Sequence, residues 1–537
     1  MSETDIIQAL RRWRDVLGGD YVLDRPEAIA EYTSSVCGGI RRSPCVLRPK
    51  CTDEVRLIVE VANQCMVPLY PFSIGCNWGM GSRLPVENDC SLVDLSRMNR
   101  IIEVSVEQQY ALIEPGVTQR QLYEYLNAHN LPLLFNVTGS SGGTSIIGNS
   151  LDRGVGYFAS RADSLSGLEV VLGNGKIVRT GFRHYQQAET TGVYRHGVGP
   201  ELDGIFSQSN YGIVTSAYFE LMPRPKSHMA AIVKIDSDLK LAALIDALTE
   251  LRRDEVIRTV AHIGNKARSE ITLAPLVWEQ LRKVDSENQS ELAETARDML
   301  AREGFGPWSA VIGILGNKAQ IAQARRAIRR KLRGIAKTMF LTDGLVDFAR
   351  AALARTNNIK WFRDKGIMLE AIMPLYEITK GIPTDAPLKS VYWPAGDIAS
   401  IDMLNPDQSK SGMLYCLPII PNDGDTIYRV MSRTQDHFRR YGFDTYITVN
   451  LMDARAAECV ISLGCVRDDR ERMQAARECI QEMEREYVRE GYIPYRLGID
   501  SMGCVLSAED DFWQTARDLK KVLDPNNIIA PGKYNLI

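Results

Sequence analysis

The chain is short of the residues that mark a metal site or a disulfide frame. Its six histidines, His129, His184, His196, His228, His262 and His437, are dispersed, and no pair has ligand spacing. The eleven cysteines are scattered, with no Cys-x-x-Cys, and read as reduced, mostly buried thiols of a cytosolic protein. A zinc site, a metal hydrolase and a disulfide scaffold are thereby set aside, and no metal is expected. There is no Walker loop, no Gly-x-Ser-x-Gly elbow and no His-Glu-x-x-His. Gly79-x-Gly81 lacks the third glycine of the dinucleotide fingerprint, because position 84 is Leu. No apolar run is long enough to span a bilayer; the stretch Ile447 to Val466 is interrupted by Asp453, Arg455 and Glu458. The segment Met1 to Ile7 has neither a basic n-region nor an apolar h-region, so no secretory signal is expected and the compartment reads as cytoplasmic. A formal charge of −3 gives no reason to expect nucleic acid or an anionic membrane as partner. The basic run Arg325 to Arg333 has no interleaved aromatics and reads as a solvated helix face.

At 537 residues the chain is too long for one core, and two domains are expected. Three polar, glycine-bearing stretches stand out. The first is Tyr70-Pro-Phe-Ser-Ile-Gly-Cys-Asn-Trp-Gly-Met-Gly81. It follows a predicted strand (45–48), a helix (55–64) with Thr52 as its cap, and a second strand (67–70). Such a loop gathers backbone N–H groups into an anion-binding concavity, and a phosphate or pyrophosphate is its natural guest. The second stretch, Thr138 to Asn149, has four glycines and five Ser/Thr residues and reads as a second cradle. The third, Gly204 to Thr215, leads small and polar residues into a strand. Three such loops within about 150 residues, each beside a strand, suggest one extended polar ligand.

Other elements follow from periodicity. An amphipathic helix spans 4–17, with Ile6, Leu10, Trp13 and Leu17 near one face. Strands are expected at 91–95, 110–114 and 167–172, and Thr118 with Gln121 forms a capping box for a helix to about Asn127. Gly173-Asn-Gly175 reads as a hairpin turn before 176–179. Pro223-Arg-Pro225 marks a boundary. Beyond it helices are expected at 238–252, 290–303 and 317–333. The order strand (412–420), helix (426–441), strands (444–451, 459–466) and helix (470–489) fits a split β-α-β layer with helices on one face. The tail Leu523 to Tyr534, with two prolines and Ile528-Ile529, is expected to dock on the first domain rather than fray.

Taken together, five motifs resemble the flavoproteins of the vanillyl-alcohol oxidase and p-cresol methylhydroxylase family. They are Pro71-Phe-Ser-Ile-Gly-x-Asn-x-Gly-x-Gly81, Ile147-Gly-Asn-x-x-x-Arg-Gly-Val-Gly-Tyr157, Gly199-Pro-x-x-Asp-Gly-Ile-Phe-Ser-Gln-Ser-Asn-x-Gly-Ile-Val-Thr215, Gly381-x-Pro-Thr384 with Tyr392-Trp393, and Asp524-Pro-Asn-x-Ile-Ile-Ala-Pro-Gly-Lys533. The resemblance implies an α+β, two-domain FAD-binding fold. Residues 1–225, completed by 490–537, would bind FAD, and 226–489 would form an α+β cap. It implies cofactor contacts from Pro71, Ser73, Ile74, Gly75, Asn77, Trp78, Gly79 and Met80 in the first loop. The second would contribute Gly139, Ser140, Gly143, Ile147, Gly148, Asn149, Gly154, Gly156 and Tyr157. Gly212, Ile213 and Val214 would lie on the adenosine side, with Arg496 and Lys533 from the end of the chain.

The family oxidises a carbon next to an aromatic ring, passing hydride to flavin N5 and holding a para-phenol as phenolate. Tyr495-Arg496 matches its Tyr-Arg pair; alone, Gly491 to Arg496 would read as a surface loop. Three departures follow. The other phenolate tyrosine is replaced by Met80, whose thioether donates no hydrogen bond; a lost charge-assisted bond is worth about 1.5–3 kcal/mol. The segment of the catalytic aspartate, Phe158 to Ser166, is about two residues shorter, and Asp163 is its one carboxylate, serving either as base or as a cap. The tether position of the cap carries Met413 and no histidine; Tyr415 reads as a packed strand residue, so FAD is expected to be non-covalent.

These features imply an FAD-dependent oxidase or dehydrogenase acting on a benzylic, allylic or alcohol carbon of a small aromatic or ring-bearing molecule. Oxygen or a redox carrier would reoxidise it, and a homodimer is implied. The alternatives are a 2-hydroxy-acid dehydrogenase of the glycolate or D-lactate type on the same fold, and a flavin-binding protein without catalysis.

Overall fold

The computed structural model describes residues 3–284, 289–355 and 359–535. Its first unit of structure is a short sheet whose strands run in the order Val22–Leu23, Val46–Leu47, Ser91–Asp94, Leu69–Phe72. The last three are parallel, so a crossover helix must link them. That helix is Thr52–Cys65, which buries Val55, Ile58, Val59 and Ala62. Helix Glu3–Leu17 covers it, with Trp13 fully buried and its Nε1 donating to the Ile58 carbonyl at 3.2 Å. Thr52 is not the cap. It is the first helical residue, and its hydroxyl donates to Glu169 (2.8 Å), tying this helix to the next sheet.

The second sheet is antiparallel, in the order Ile101–Ser105, Tyr110–Ile113, Gly212–Glu220, Leu165–Leu172, Ile177–Arg179. Thr118 accepts from the Gln121 N–H at 3.2 Å, but the Gln121 side chain donates to the Asn99 carbonyl, so only half of a capping box forms. The tail docks as expected. The Leu69 N–H donates to Ile528 O and the Ala530 N–H to Leu69 O, both at 2.7 Å. Asp524 is buried, accepts from the N–H groups of Ile528 and Ile529, and pairs with buried Lys520 at 2.5 Å.

The middle of the chain builds an eight-stranded antiparallel sheet. It joins Ser227–Lys234, Ala261–Asn265, Trp308–Gly316 and Lys337–Leu341 to Ser411–Cys416, Ile419–Pro421, Tyr446–Leu451 and Ala456–Val466. The strand expected over 412–420 is broken at Leu417-Pro418, because proline has no N–H for the ladder. One face packs on helices Leu241–Arg253, Lys318–Lys331, Gly424–Arg440 and Arg470–Arg489, through Ile263, Ile312, Val449, Cys459, Ile461 and Leu463. Strand periodicity then turns Glu458, Val460, Ser462 and Tyr415 to the other face. Three further helices, Lys266–Arg282, Asp343–Arg355 and Lys360–Ile378, were not anticipated; the first and last carry an internal proline. No helix among the described residues is long and apolar enough to cross a membrane.

Candidate active site

Two cavities adjoin. The first runs between the two sheets of the N-terminal part and is lined by Pro71, Ser73, Ile74, Gly75 and Asn77 of the first loop. Ile147, Gly148, Asn149 and Asp152 face it from the second motif, Gly212, Ile213 and Val214 from the third, and Lys533 from the tail. The second lies under the large sheet and is lined by Trp78, Met80, Gly139, Ser140, Arg268, Met413, Tyr415, Tyr446, Val460, Ser462 and Tyr495, among others. Cys76, Asn77, Asn149 and Arg496 line both, so the two spaces meet there.

Local sequence explains the close approach of the loops. Gly75 has φ +84, and a Cβ there would lie 2.4 Å from Arg83 Cγ. Ser145 caps Ile146–Leu151 by accepting from the Gly148 N–H at 2.9 Å. A Cβ on Gly148 would meet Ser73 Oγ at 2.5 Å, so glycine lets the two loops touch. Asp385 holds the second loop from outside, accepting from Ser141 Oγ (2.8 Å) and the Gly142 N–H (2.9 Å) and pairing with Arg120 at 2.5 Å.

The junction is charged. Arg496 donates through Nη2 to Asn77 Oδ1 (2.7 Å) and Asp152 Oδ2 (3.0 Å). Burial works against the Asp152 charge, but Arg496 and Lys533 outweigh it and hold the carboxyl below its ordinary range. Burial likewise opposes the charges on Arg496 and Lys533. Asp152 outweighs it at Arg496, Tyr70 and Asp152 outweigh it at Lys533, and both pKa values rise. Gln208 of the third motif donates to the Tyr495 carbonyl at 2.7 Å and so fixes the Tyr-Arg pair. Burial, then Glu458, raises the Tyr495 pKa, so its hydroxyl stays a proton donor.

An elongated, doubly negative ligand such as FAD fits this space. The first loop lines it from Pro71 to Asn77, Lys533 and Arg496 bring positive charge, and Asn149 Oδ1, Arg496 Nε and Trp78 Nε1 are buried without a partner among the described residues. When bound, the flavin supplies the hydride-accepting chemistry. Among the described residues no histidine lines either cavity.

Not every expected residue reaches the cavities. Gly79 (φ +75) lies under Tyr415, whose Cε2 would be 2.4 Å from a Cβ there. Gly154 and Gly156 instead make room for the side chains of Asn149 and Asn136, 2.1 Å from a Cβ at each. Gly143 lines neither cavity; its carbonyl faces Cys76 Sγ at 3.9 Å. Tyr157 packs against His262, ring centroids 4.3 Å apart and planes tilted by 41°. Asp163 is exposed in a 3-10 turn, and its carbonyl accepts from Arg195. The shortened segment leaves it outside the cavity. Asp152 is the carboxylate bonded to Arg496. Glu458 acts electrostatically on Tyr495 but lines neither cavity; burial pushes it up to about 7, and its Oε2 is unpartnered among the described residues. Its sequence signal is a lone charged residue in an otherwise uncharged strand.

A family model described as an FAD binding domain matches residues 43–181. The chain is 32% identical over 542 residues to the 1'-carboxy-chondrochloren decarboxylase of Chondromyces crocatus, covering 100% of this chain and 98% of that protein. It is 25% identical over 548 residues to the 4-cresol dehydrogenase [hydroxylating] flavoprotein subunit of Pseudomonas putida, covering 100% and 96%. The fold matches the crystal structure of p-cresol methylhydroxylase with substrate bound at a TM-score of 0.84 and 24% identity, over 100% of this chain and 98% of that one. Glycolate oxidase and D-lactate dehydrogenase relatives align over less than half of the chain or at lower identity. The chain belongs to the family of FAD-linked, p-cresol methylhydroxylase-type oxidoreductases.

Proposed function

We propose that this FAD-linked oxidoreductase removes hydride from the carbon attached to the ring of a small phenol or aryl alcohol. The observation that carries this reading is the junction of the two cavities, where Asn77, Asn149 and Arg496 border both the glycine-loop cradle and the space below Tyr495. In this reading Tyr495 and Arg496 hold a developing phenolate in a site shielded from bulk water, where a fixed donor and a cation act most strongly. Asp163 lies outside the cavity, and Glu458 lines neither cavity, so Glu458 is proposed to act through Tyr495, whose hydroxyl it helps keep protonated. Residues 1–225 with 490–537 are proposed as the cofactor domain and 226–489 as the cap. FAD is proposed to be dissociable, since the cavity wall offers Met413 and Tyr415 and no histidine. Oxygen or a redox carrier as acceptor, a homodimer and a cytoplasmic location complete the proposal.

A second reading, oxidation coupled to loss of a carboxyl group, is favoured by the kinship with a protein named as a decarboxylase. The test is anaerobic addition of para-alkylphenols and aryl alcohols to the purified holoprotein. Bleaching of the flavin band supports the reading, and carbon dioxide release in the same mixture selects the second. A flavin that every phenol and aryl alcohol leaves oxidised contradicts both. Acid precipitation that leaves a yellow supernatant supports dissociable FAD; a yellow pellet contradicts it.

A further inference from the structure

Arg268 has no carboxylate partner among the described residues. It lies in the first turn of helix Lys266–Arg282, whose cap is Asn265; the Asn265 side chain accepts from the Arg268 N–H at 2.9 Å. Asn265 also donates to the Thr445 carbonyl (2.8 Å) and accepts from the Ile447 N–H (3.2 Å), so this turn is pinned to the sheet. The stem of Arg268 packs over Gly264, where a Cβ would come within 3.2 Å of Arg268 Cγ. The guanidinium lines the cap-side cavity and does not line the glycine-loop cavity. It makes no side-chain hydrogen bond or ion pair among the described residues.

Two costs attach to this placement. The N-terminal turn of a helix already carries partial positive charge, which disfavours a cation there. Enclosure adds a desolvation cost that only an anion or several acceptors offset. The phenols beside it do not offset it: burial pushes Tyr157 up to about 12 and raises Tyr415 as well, so both stay neutral. A half-buried guanidinium in a cavity wall, with its stem packed and its head unbonded, is suited to bind a planar oxyanion with two parallel hydrogen bonds.

We infer that the substrate carries a carboxylate, that Arg268 binds it in the cap-side cavity, and that the N-terminal turn of helix Lys266–Arg282 reinforces this site. The inference deepens the aryl-oxidation reading and rests on it for the identity of the site. The ring then lies between the Tyr495-Arg496 end and the Arg268 end, and the enzyme distinguishes aryl-alkanoates from neutral alkylphenols.

The test compares para-hydroxyphenylpropanoate with its isosteric amide, para-hydroxyphenylpropanamide, on the holoprotein. Binding is read from the perturbed flavin spectrum and turnover from anaerobic flavin reduction. The wild type should prefer the carboxylate by about tenfold or more. Arg268→Met should bring that ratio close to one, and Arg268→Lys should keep part of it. A wild-type ratio near one overturns the inference, as does an unchanged ratio in Arg268→Met with normal flavin content. If Arg268→Met fails to hold flavin, the wild-type ratio and Arg268→Lys still decide. Carboxylate-selective binding without flavin reduction by any phenol or alcohol supports this site while contradicting aryl oxidation. Reduction by neutral phenols with no carboxylate preference does the reverse.

Discussion

Replacing Tyr495 by phenylalanine removes one hydroxyl from the cavity and leaves the ring. Arg496 Nη2 is already engaged with Asn77 and Asp152, and Met80 supplies no donor across the cavity. In the proposed reading the Tyr495 hydroxyl, kept protonated by burial and by Glu458, would carry much of the phenolate recognition. A hydrogen bond to a charged partner contributes about 1.5–3 kcal/mol, which is roughly a 10- to 150-fold loss in kcat/KM. The assay is anaerobic flavin reduction by a para-alkylphenol and by an aryl alcohol without a phenolic hydroxyl. Only the phenol should suffer, because only it develops the phenolate. An equal loss on both substrates would assign Tyr495 to packing, and no loss on either would remove it from the site.

Gly79→Ala should lower flavin content and destabilise the holoprotein by about 1–3 kcal/mol, since φ is +75 and the new methyl meets the Tyr415 ring; the absorbance ratio and a melt check it. Asp524→Asn leaves Lys520 enclosed without its carboxylate and should cost about 3–5 kcal/mol, read as a lower melting point; a change of less than about 1 kcal/mol would mean the tail is held by its backbone bonds alone. Glu458 is raised from the ordinary carboxylate range to about 7 by burial. It binds its proton more tightly folded than unfolded, so it adds stability at low pH that is lost as pH rises through about 7. Glu458→Gln should therefore match the wild type near pH 5 and exceed it in melting point near pH 8; a constant difference across that range refutes this.

The cofactor end was legible because its chemistry is carried by glycines and small polar residues, whose spacing survives in the sequence. Gly75, Gly148 and the tail from Asp524 to Lys533 stand where the motifs led. The cap was less legible. Helix Lys266–Arg282 contains Ile271, Thr272 and Pro275, which blur its periodicity, and its one sequence signal is Asn265 as a cap. That Arg268 lines a cavity without a side-chain partner among the described residues depends on a strand nearly two hundred residues away. Asp163 misled because its segment is shortened: nearness in sequence to the second loop did not bring it into the cavity.

The most direct test of the central claim is stopped-flow reduction of the bound flavin by a para-alkylphenol deuterated at the benzylic carbon. Hydride removal at that carbon predicts that the flavin bleaches and that deuteration slows it severalfold. Bleaching at an unchanged rate would place the broken bond elsewhere, and no bleaching by any aryl substrate would contradict the account.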